Sequence, residues 1–250
     1  MRGEIIPVIL AKNFDDFEKK LKIIKSLKPK PTWIQIDVVD GRFAPFLTFH
    51  QISKIVPSLK KFNLEIHLMV INPIGEAQKW LKAGAKRILF QIEGFFPSVQ
   101  RIQKRNWQSK TLKKLFLSQL TNHWEKISQL LHRLKSNQSN KIEIGLALEP
   151  NTPLEAIFPL IKQIDVVLLL GVKAGQSGQR FQPQVLKKIR TLRQKYPSLP
   201  IEVDGGVKLE NIAKMLKAGA NRFACASALI NHPQPQIVYQ KFLNLLSCCH

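Results

Sequence analysis

Acidic residues are scarce in this chain: 17 Asp and Glu stand against 39 Lys and Arg in 250 residues, leaving a net charge of +22. A surface so short of negative charge points to an anionic partner, whether nucleic acid, a membrane surface or a phosphorylated substrate, or to a proteome that favours lysine throughout. Cysteine is scarcer still. Of the three, Cys225 falls in an apolar run while Cys248 and Cys249 adjoin at the tail. That excludes a disulfide framework and a spaced cysteine metal motif, and suits a reducing compartment. No run of about 18 apolar residues occurs, so no membrane-spanning helix is expected. MRGEIIPVIL enters a strand pattern with no small-residue cleavage site, and the expectation is a soluble, cytoplasmic protein with no membrane partner.

What is present is an alternation of strand and helix patterns. Strands are expected at Ile5 to Leu10, from Trp33, at Asn63 to Met69, up to Gln91 and Glu93, at Glu143 to Leu148, at Asp165 to Leu170, up to Asp204, and after Ala220. Helices are expected at Phe14 to Leu27 with Asn13 as cap, at about 48–56 stopping before Pro57, at about 73–83, from EPNTPLEAI, at about 183–194 and at about 236–246. Eight strands in alternation with helices imply a parallel sheet, and eight repeats with buried runs argue for closure into a single (β/α)8 TIM barrel spanning residues 1–250.

Three strand ends carry the chemistry. In WIQIDVVDGRFAP, Gln35 and Asp37 share one face of a strand that ends in a glycine turn; IEVDGGVKLENI brings Asp204 to a similar end, and LEIHLMV brings His67. A lone strand-end aspartate is more often a turn cap. Two carboxylates and an imidazole at strand ends can instead bind a divalent metal and move protons.

Taken together, VILAKNF, IDVVDGRFAP, HLMVINP, EPNTPLEAI, GQSGQRFQPQVLKKI and EVDGGVKLENI, in that order, resemble the ribulose-phosphate 3-epimerase family over roughly Ile5 to Ile230. The resemblance implies an isomerase that inverts C3 of a ketose phosphate, ribulose 5-phosphate to xylulose 5-phosphate, with Asp37 and Asp204 as the acid/base pair. A related epimerase acting on a ketohexose 6-phosphate is also open. The implied metal set is Asp37, His67, Asp204 and Gln35, with Gln35 where the family has histidine. A neutral amide oxygen in that place implies weaker binding of zinc or iron and a shift toward Mg²⁺ or Mn²⁺. For the sugar phosphate, the implied contacts are Val8, where the family has serine, Met69 with Val39 and Leu170 as an apolar shield, the loop Gly175, Gln176, Ser177 and Gly178, the pair Gly205 and Gly206, and Ala226 with Ser227. Ala226 replaces a glycine, which requires a negative φ there.

One stretch exceeds what an ordinary connection needs. Residues 95–140 carry a basic helical insertion after strand four, with an amphipathic helix expected at Leu112 to Leu134 and Arg101, Lys104, Arg105 and Lys110 ahead of or at its start. Such an insertion can lid the site, join subunits of a homo-oligomer, contact nucleic acid or a protein partner, or be a basic loop with no such role. The alternative to an active epimerase is a catalytically impaired barrel that binds sugar phosphate and uses this insertion for a partner.

Overall fold

The computed structural model describes residues 3–96, 110–136, 141–174 and 179–247. Eight parallel strands close on themselves in chain order, with β1 (Glu4–Ile9) paired to both β2 (Trp33–Val39) and β8 (Arg222–Cys225). Between these run β3 (Asn63–Met69), β4 (Arg87–Gln91), β5 (Glu143–Leu148), β6 (Val166–Leu170) and β7 (Ile201–Asp204). Strand periodicity of two sorts every side chain. Ile34, Ile36 and Val38 of β2, like Leu64, Ile66 and Leu68 of β3, point outward into the apolar shell under the helices. The alternate residues, Gln35 and Asp37 on β2 with Glu65 and His67 on β3, are left for the barrel interior.

Helix α1 (Phe14–Ser26) starts where Asn13 accepts a hydrogen bond from the Asp16 N–H at 2.9 Å, and it buries Phe17, Leu21 and Ile24. Helix α2 is Ile52–Leu59 and carries Pro57 inside it, rather than ending before it. Two contacts move its start. The Thr48 hydroxyl accepts from the Val39 N–H at 2.9 Å and donates to the Asp37 carbonyl at 3.0 Å, which keeps residue 48 in the loop. Pro57 lies on the exposed side, where water can serve the carbonyl its missing N–H leaves free. Helix α3 (Ile74–Lys82) follows Pro73.

Helix α4 (Lys110–Ser136) is 27 residues long. Ile127, Leu131 and Leu134 are buried, the Trp124 indole donates to the Ala156 carbonyl at 3.3 Å, and Lys135 pairs with Asp165 at 2.7 Å. The far half of the expected insertion is therefore the barrel's own fourth outer helix. Arg101, Lys104 and Arg105 lie outside the described residues.

After β5 no α-helix forms from EPNTPLEAI; two 3-10 segments, Leu154–Ala156 and Phe158–Gln163, take its place. A helix begun at Leu154 would need the N–H of residue 159 for the Glu155 carbonyl, and Pro159 has none. Helices α5 (Val185–Lys195), α6 (Leu209–Ala218), the short α7 (Ser227–Ile230) and α8 (Pro235–Ser247) complete the shell.

The interior at the N-terminal end of the barrel is ionic. Arg87 reaches Glu65, Glu143 at 2.7 Å and Glu202 at 3.9 Å, and stacks on the Trp33 ring at 3.8 Å. Arg222 joins Glu143 at 3.2 Å and Glu4 at 3.8 Å. Burial, reinforced by the Glu65 carboxylate, pushes the Glu202 carboxyl well above the usual range. Among the described residues no helix is long and apolar enough to cross a membrane.

Candidate active site at the C-terminal ends of the strands

Strand register brings the three expected side chains together. Asp37 is opposite His67 across the β2–β3 pair, and Asp204 closes the cluster from β7. Their ligand atoms all lie within 4.8 Å of one another, and all three residues are buried. The His67 Nδ1 sits 3.5 Å from an oxygen of Asp37 and 3.5 Å from one of Asp204. Asp40, three residues on, has the capping role instead: its carboxylate accepts from the N–H groups of Arg42, Phe43 and Ile71.

Behind the ring runs a chain of polar side chains that no sequence motif connects. The His67 Nε2 is 3.0 Å from Gln91 Oε1, and Gln91 Nε2 donates to Glu93 at 2.6 Å. The second Glu93 oxygen accepts from the Thr152 hydroxyl and from the Glu149 N–H at 3.0 Å. With the Gln91 amide nitrogen committed to Glu93, its carbonyl faces the ring, so His67 carries a hydrogen on Nε2 and turns Nδ1 toward the two aspartates. The available signal is period-two spacing: Gln91 shares the interior face of β4, and Glu93 continues it one step beyond the strand.

Electrostatics in this pocket pull in opposite directions. Burial alone would lower the imidazole, but hydrogen bonds and charge from Asp204 and Asp37 overcome it and hold His67 up to about 10. Burial, helped by the facing Asp204, raises the Asp37 carboxyl above the usual range against the pull of His67 and Gln35.

Gln35 lies directly under both carboxylates. Its Nε2 donates to Asp37 at 2.6 Å and to Asp204 at 3.0 Å, while Oε1 is buried with no hydrogen-bond partner among the described residues. The amide thus presents nitrogen, not oxygen, to the carboxylates. His67 Nδ1 is also buried, and the contacts it makes are the two 3.5 Å approaches to Asp37 and Asp204. The unpartnered Gln35 Oε1, the His67 Nδ1 and the two carboxylates together are a donor set suited to a divalent cation, and donors sharing one small cation stand about 3 to 3.5 Å apart. The residues fit a metal on one condition, that the Gln35 amide turns to present Oε1.

Above this cluster opens a cleft lined by Asp37, Met69, Leu170, Asp204, Gly205, Gly206, Ala226 and Ser227 among others. Met69 packs with Val39 and Ala44, and Met69 and Leu170 both line the cleft, while Val39 is not in its lining. Gly206 has φ of +68° and a Cβ there would meet Phe181 at 2.7 Å, so only glycine fits. Gly205, at φ +83°, is held as closely by Val172. Ala226 has φ of −93°, which an alanine tolerates. Val8 does not reach the cleft: it is buried beside Gln35 in the β1–β2 register. Gly175, Gln176, Ser177 and Gly178 lie outside the described residues.

Two cations on the cleft wall, Lys173 and Lys208, are site residues that the sequence does not mark. Lys208 is one more residue of EVDGGVKLENI beside its aspartate and glycines, and only the packing of the loops after β6 and β7 brings both lysines to the mouth. Glu149, after β5, accepts a hydrogen bond from the Ala174 N–H at 3.3 Å; burial and then the nearby Glu93 push its carboxyl up to about 7.

The chain is similar to known proteins along most of its length. The chain is 31% identical over 239 residues to the cytoplasmic isoform of ribulose-phosphate 3-epimerase from Oryza sativa, covering 93% of this chain and 90% of that protein. It is 30% identical over 250 residues to ribulose-phosphate 3-epimerase of Schizosaccharomyces pombe, covering 98% and 94%. Among solved structures, 3-keto-L-gulonate-6-phosphate decarboxylase from Vibrio cholerae superposes with a TM-score of 0.64 at 12% identity over 100% of both chains, a likeness of fold alone. The model of the ribulose-phosphate 3 epimerase family matches residues 4–111 and 107–230, a span that takes in the strands bearing Asp37, His67 and Asp204, and the chain belongs to that family.

Proposed function

We propose that this barrel is an epimerase that inverts C3 of ribulose 5-phosphate, giving xylulose 5-phosphate. The observation that carries the reading is the pair Asp37 and Asp204, brought from β2 and β7 to the floor of one cleft. C3 lies next to the keto carbon, so its proton is acidic enough for a carboxylate to remove. One aspartate takes that proton from one face of the substrate, and the other returns a proton to the opposite face. Which of them starts protonated depends on the direction; burial raises the Asp37 carboxyl above the usual range, which suits it as the donor in one of them. Met69 and Leu170 keep water from the reacting carbons, while Gly205, Gly206, Ala226 and Ser227, together with the 175–178 loop, are the proposed phosphate contacts.

Asp37, His67, Asp204 and the turned amide of Gln35 would hold a divalent cation, Zn²⁺, Fe²⁺, Mn²⁺ or Mg²⁺, which supplies positive charge beside the substrate oxygens where negative charge develops. Lys173 and Lys208 add positive charge at the mouth, which suits a phosphorylated sugar.

A second reading, a barrel that binds sugar phosphate without turnover, draws on the Gln35 amide nitrogen lying on both carboxylates. One experiment separates the two. Protein stripped of metal and resupplied with Mn²⁺, Mg²⁺, Zn²⁺ or Fe²⁺ is assayed for epimerisation of ribulose 5-phosphate beside Asp37→Asn. Metal-dependent turnover that Asp37→Asn lowers by at least about 10³-fold supports the epimerase. Substrate binding without turnover in any metal supports the second reading.

A further inference from the structure

The opposite end of the barrel carries a second concave surface with a chemistry of its own. It lies where β2 and β3 begin and just ahead of β4, roughly 20 Å from the cleft across the seven-residue β3. It is a shallow basin of about 540 Å³, and its charged lining is entirely basic: Lys30, Lys60, Lys61 and Lys86. None of the four makes an ion pair among the described residues, whereas Lys20, Lys79 and Lys135 each sit on a carboxylate. Two of the four are held in place. The Lys30 ammonium lies 4.5 Å above the Phe62 ring, and Lys86 donates to the Asn63 side-chain carbonyl at 2.7 Å.

The plain account of these lysines is that α2 and α3 both end here, and lysine complements the partial negative charge of a helix C-terminus. That account falls short by charge. Two helix ends amount to about one negative charge between them, so most of the positive charge on four lysines remains uncompensated.

We propose that this basic basin binds the phosphodiester backbone of nucleic acid. Lysine ammonium groups act as point charges without the directional fork of arginine, and the basin has no arginine in its described lining. Among the described residues, no helix N-terminus opens into it. Such a surface lacks the directional donors that would select a small phosphorylated metabolite, and matches a repeated, sequence-independent charge. The net charge of +22 extends the favourable field beyond the basin itself.

The test is fluorescence anisotropy of a labelled oligodeoxythymidine of about 20 nucleotides, titrated with full-length protein at salt from about 50 to 200 mM. The parent is compared with Lys30→Gln/Lys60→Gln/Lys61→Gln/Lys86→Gln, and with a matched variant that loses four charges on α5 and α6: Lys187→Gln/Lys195→Gln/Lys214→Gln/Lys217→Gln. Circular dichroism and the thermal transition check that each variant folds. For the basin variant, affinity at the lowest salt should fall at least about tenfold and the slope of log K against log salt by roughly 3; the matched variant should change much less. Equal loss in both variants would reduce the binding to diffuse charge and overturn the proposal. So would no binding by the parent, or unchanged binding by the basin variant. Saturable binding of inorganic tripolyphosphate that the basin mutations abolish, with no oligonucleotide binding, would overturn it in favour of a small anion.

Discussion

Metal binding at this site should be coupled to the loss of one proton from His67, and the size of the coupling follows from the geometry. Without a cation, the imidazole is held up to about 10 by the carboxylates of Asp204 and Asp37. A cation needs the Nδ1 lone pair and therefore competes with that proton. At pH 7 the competition runs about three units below the imidazole value, and at 1.36 kcal/mol per unit it costs about 4 kcal/mol, a handicap of roughly 10³ in affinity. The handicap shrinks by tenfold with each unit of pH until about pH 10. Titration calorimetry of Mn²⁺ into metal-free protein at pH 7, 7.5, 8 and 8.5, in pairs of buffers with different ionisation enthalpies, measures both the affinity and the protons released. The expected slope is one decade per pH unit, with about one proton released per ion. Asp37, whose carboxyl is also raised, adds to the release wherever it is protonated before the ion binds. An affinity that stays flat from pH 7 to 8.5, with no buffer-dependent heat, would refute the assignment of His67 as the competing group.

Other variants address the neighbours of that site. Gln91→Leu removes the acceptor for His67 Nε2 and strands Glu93; Mn²⁺ affinity should fall by about 10 to 100-fold, with roughly 2 kcal/mol of stability lost in urea unfolding. Gln35→His replaces the neutral amide with an imidazole, and Zn²⁺ binding should tighten by at least about tenfold. Gly206→Ala forces a Cβ against Phe181 at a positive φ; the thermal midpoint should drop by an amount equivalent to about 2 to 4 kcal/mol. Glu202 has a raised folded value, so the folded state holds a proton that the unfolded chain has released, and that contribution is lost as pH rises through the raised value. Glu202→Gln lacks this loss, and its stability relative to the parent should improve from pH 5 to pH 8 in paired urea titrations.

Much of the site could be read from residues because it depends on strand ends. Alternation placed Asp37 beside Gln35 on one face, and the same logic placed His67 and Asp204, so closing the barrel sufficed to gather them. The chain behind His67 could not be read in the same way. Gln91, Glu93 and Thr152 come from the end of β4, the turn after it and the loop after β5, and only the register of neighbouring strands shows that they touch. Helix boundaries failed where one side chain outweighed pattern: Thr48 delayed α2, and Pro159 turned an expected helix into 3-10 segments. The direction of the Gln35 amide was beyond sequence altogether, since it is set by two carboxylates 2 and 169 positions away along the chain.

The ionic layer at the base of the barrel bears on how the strands find their alignment. Arg87 on β4 meets partners on β3, β5 and β7, and Arg222 on β8 meets partners on β5 and β1. A strand that paired one residue out of step would send its charge into the aliphatic shell and leave several opposing charges unpaired in the interior. Each stranded charge costs several kcal/mol, whereas a slipped apolar residue can often be accommodated. The layer thus penalises misaligned barrels far more than it stabilises the correct one, and a variant with apolar residues in its place should melt at a similar temperature yet refold to a mixture of alignments.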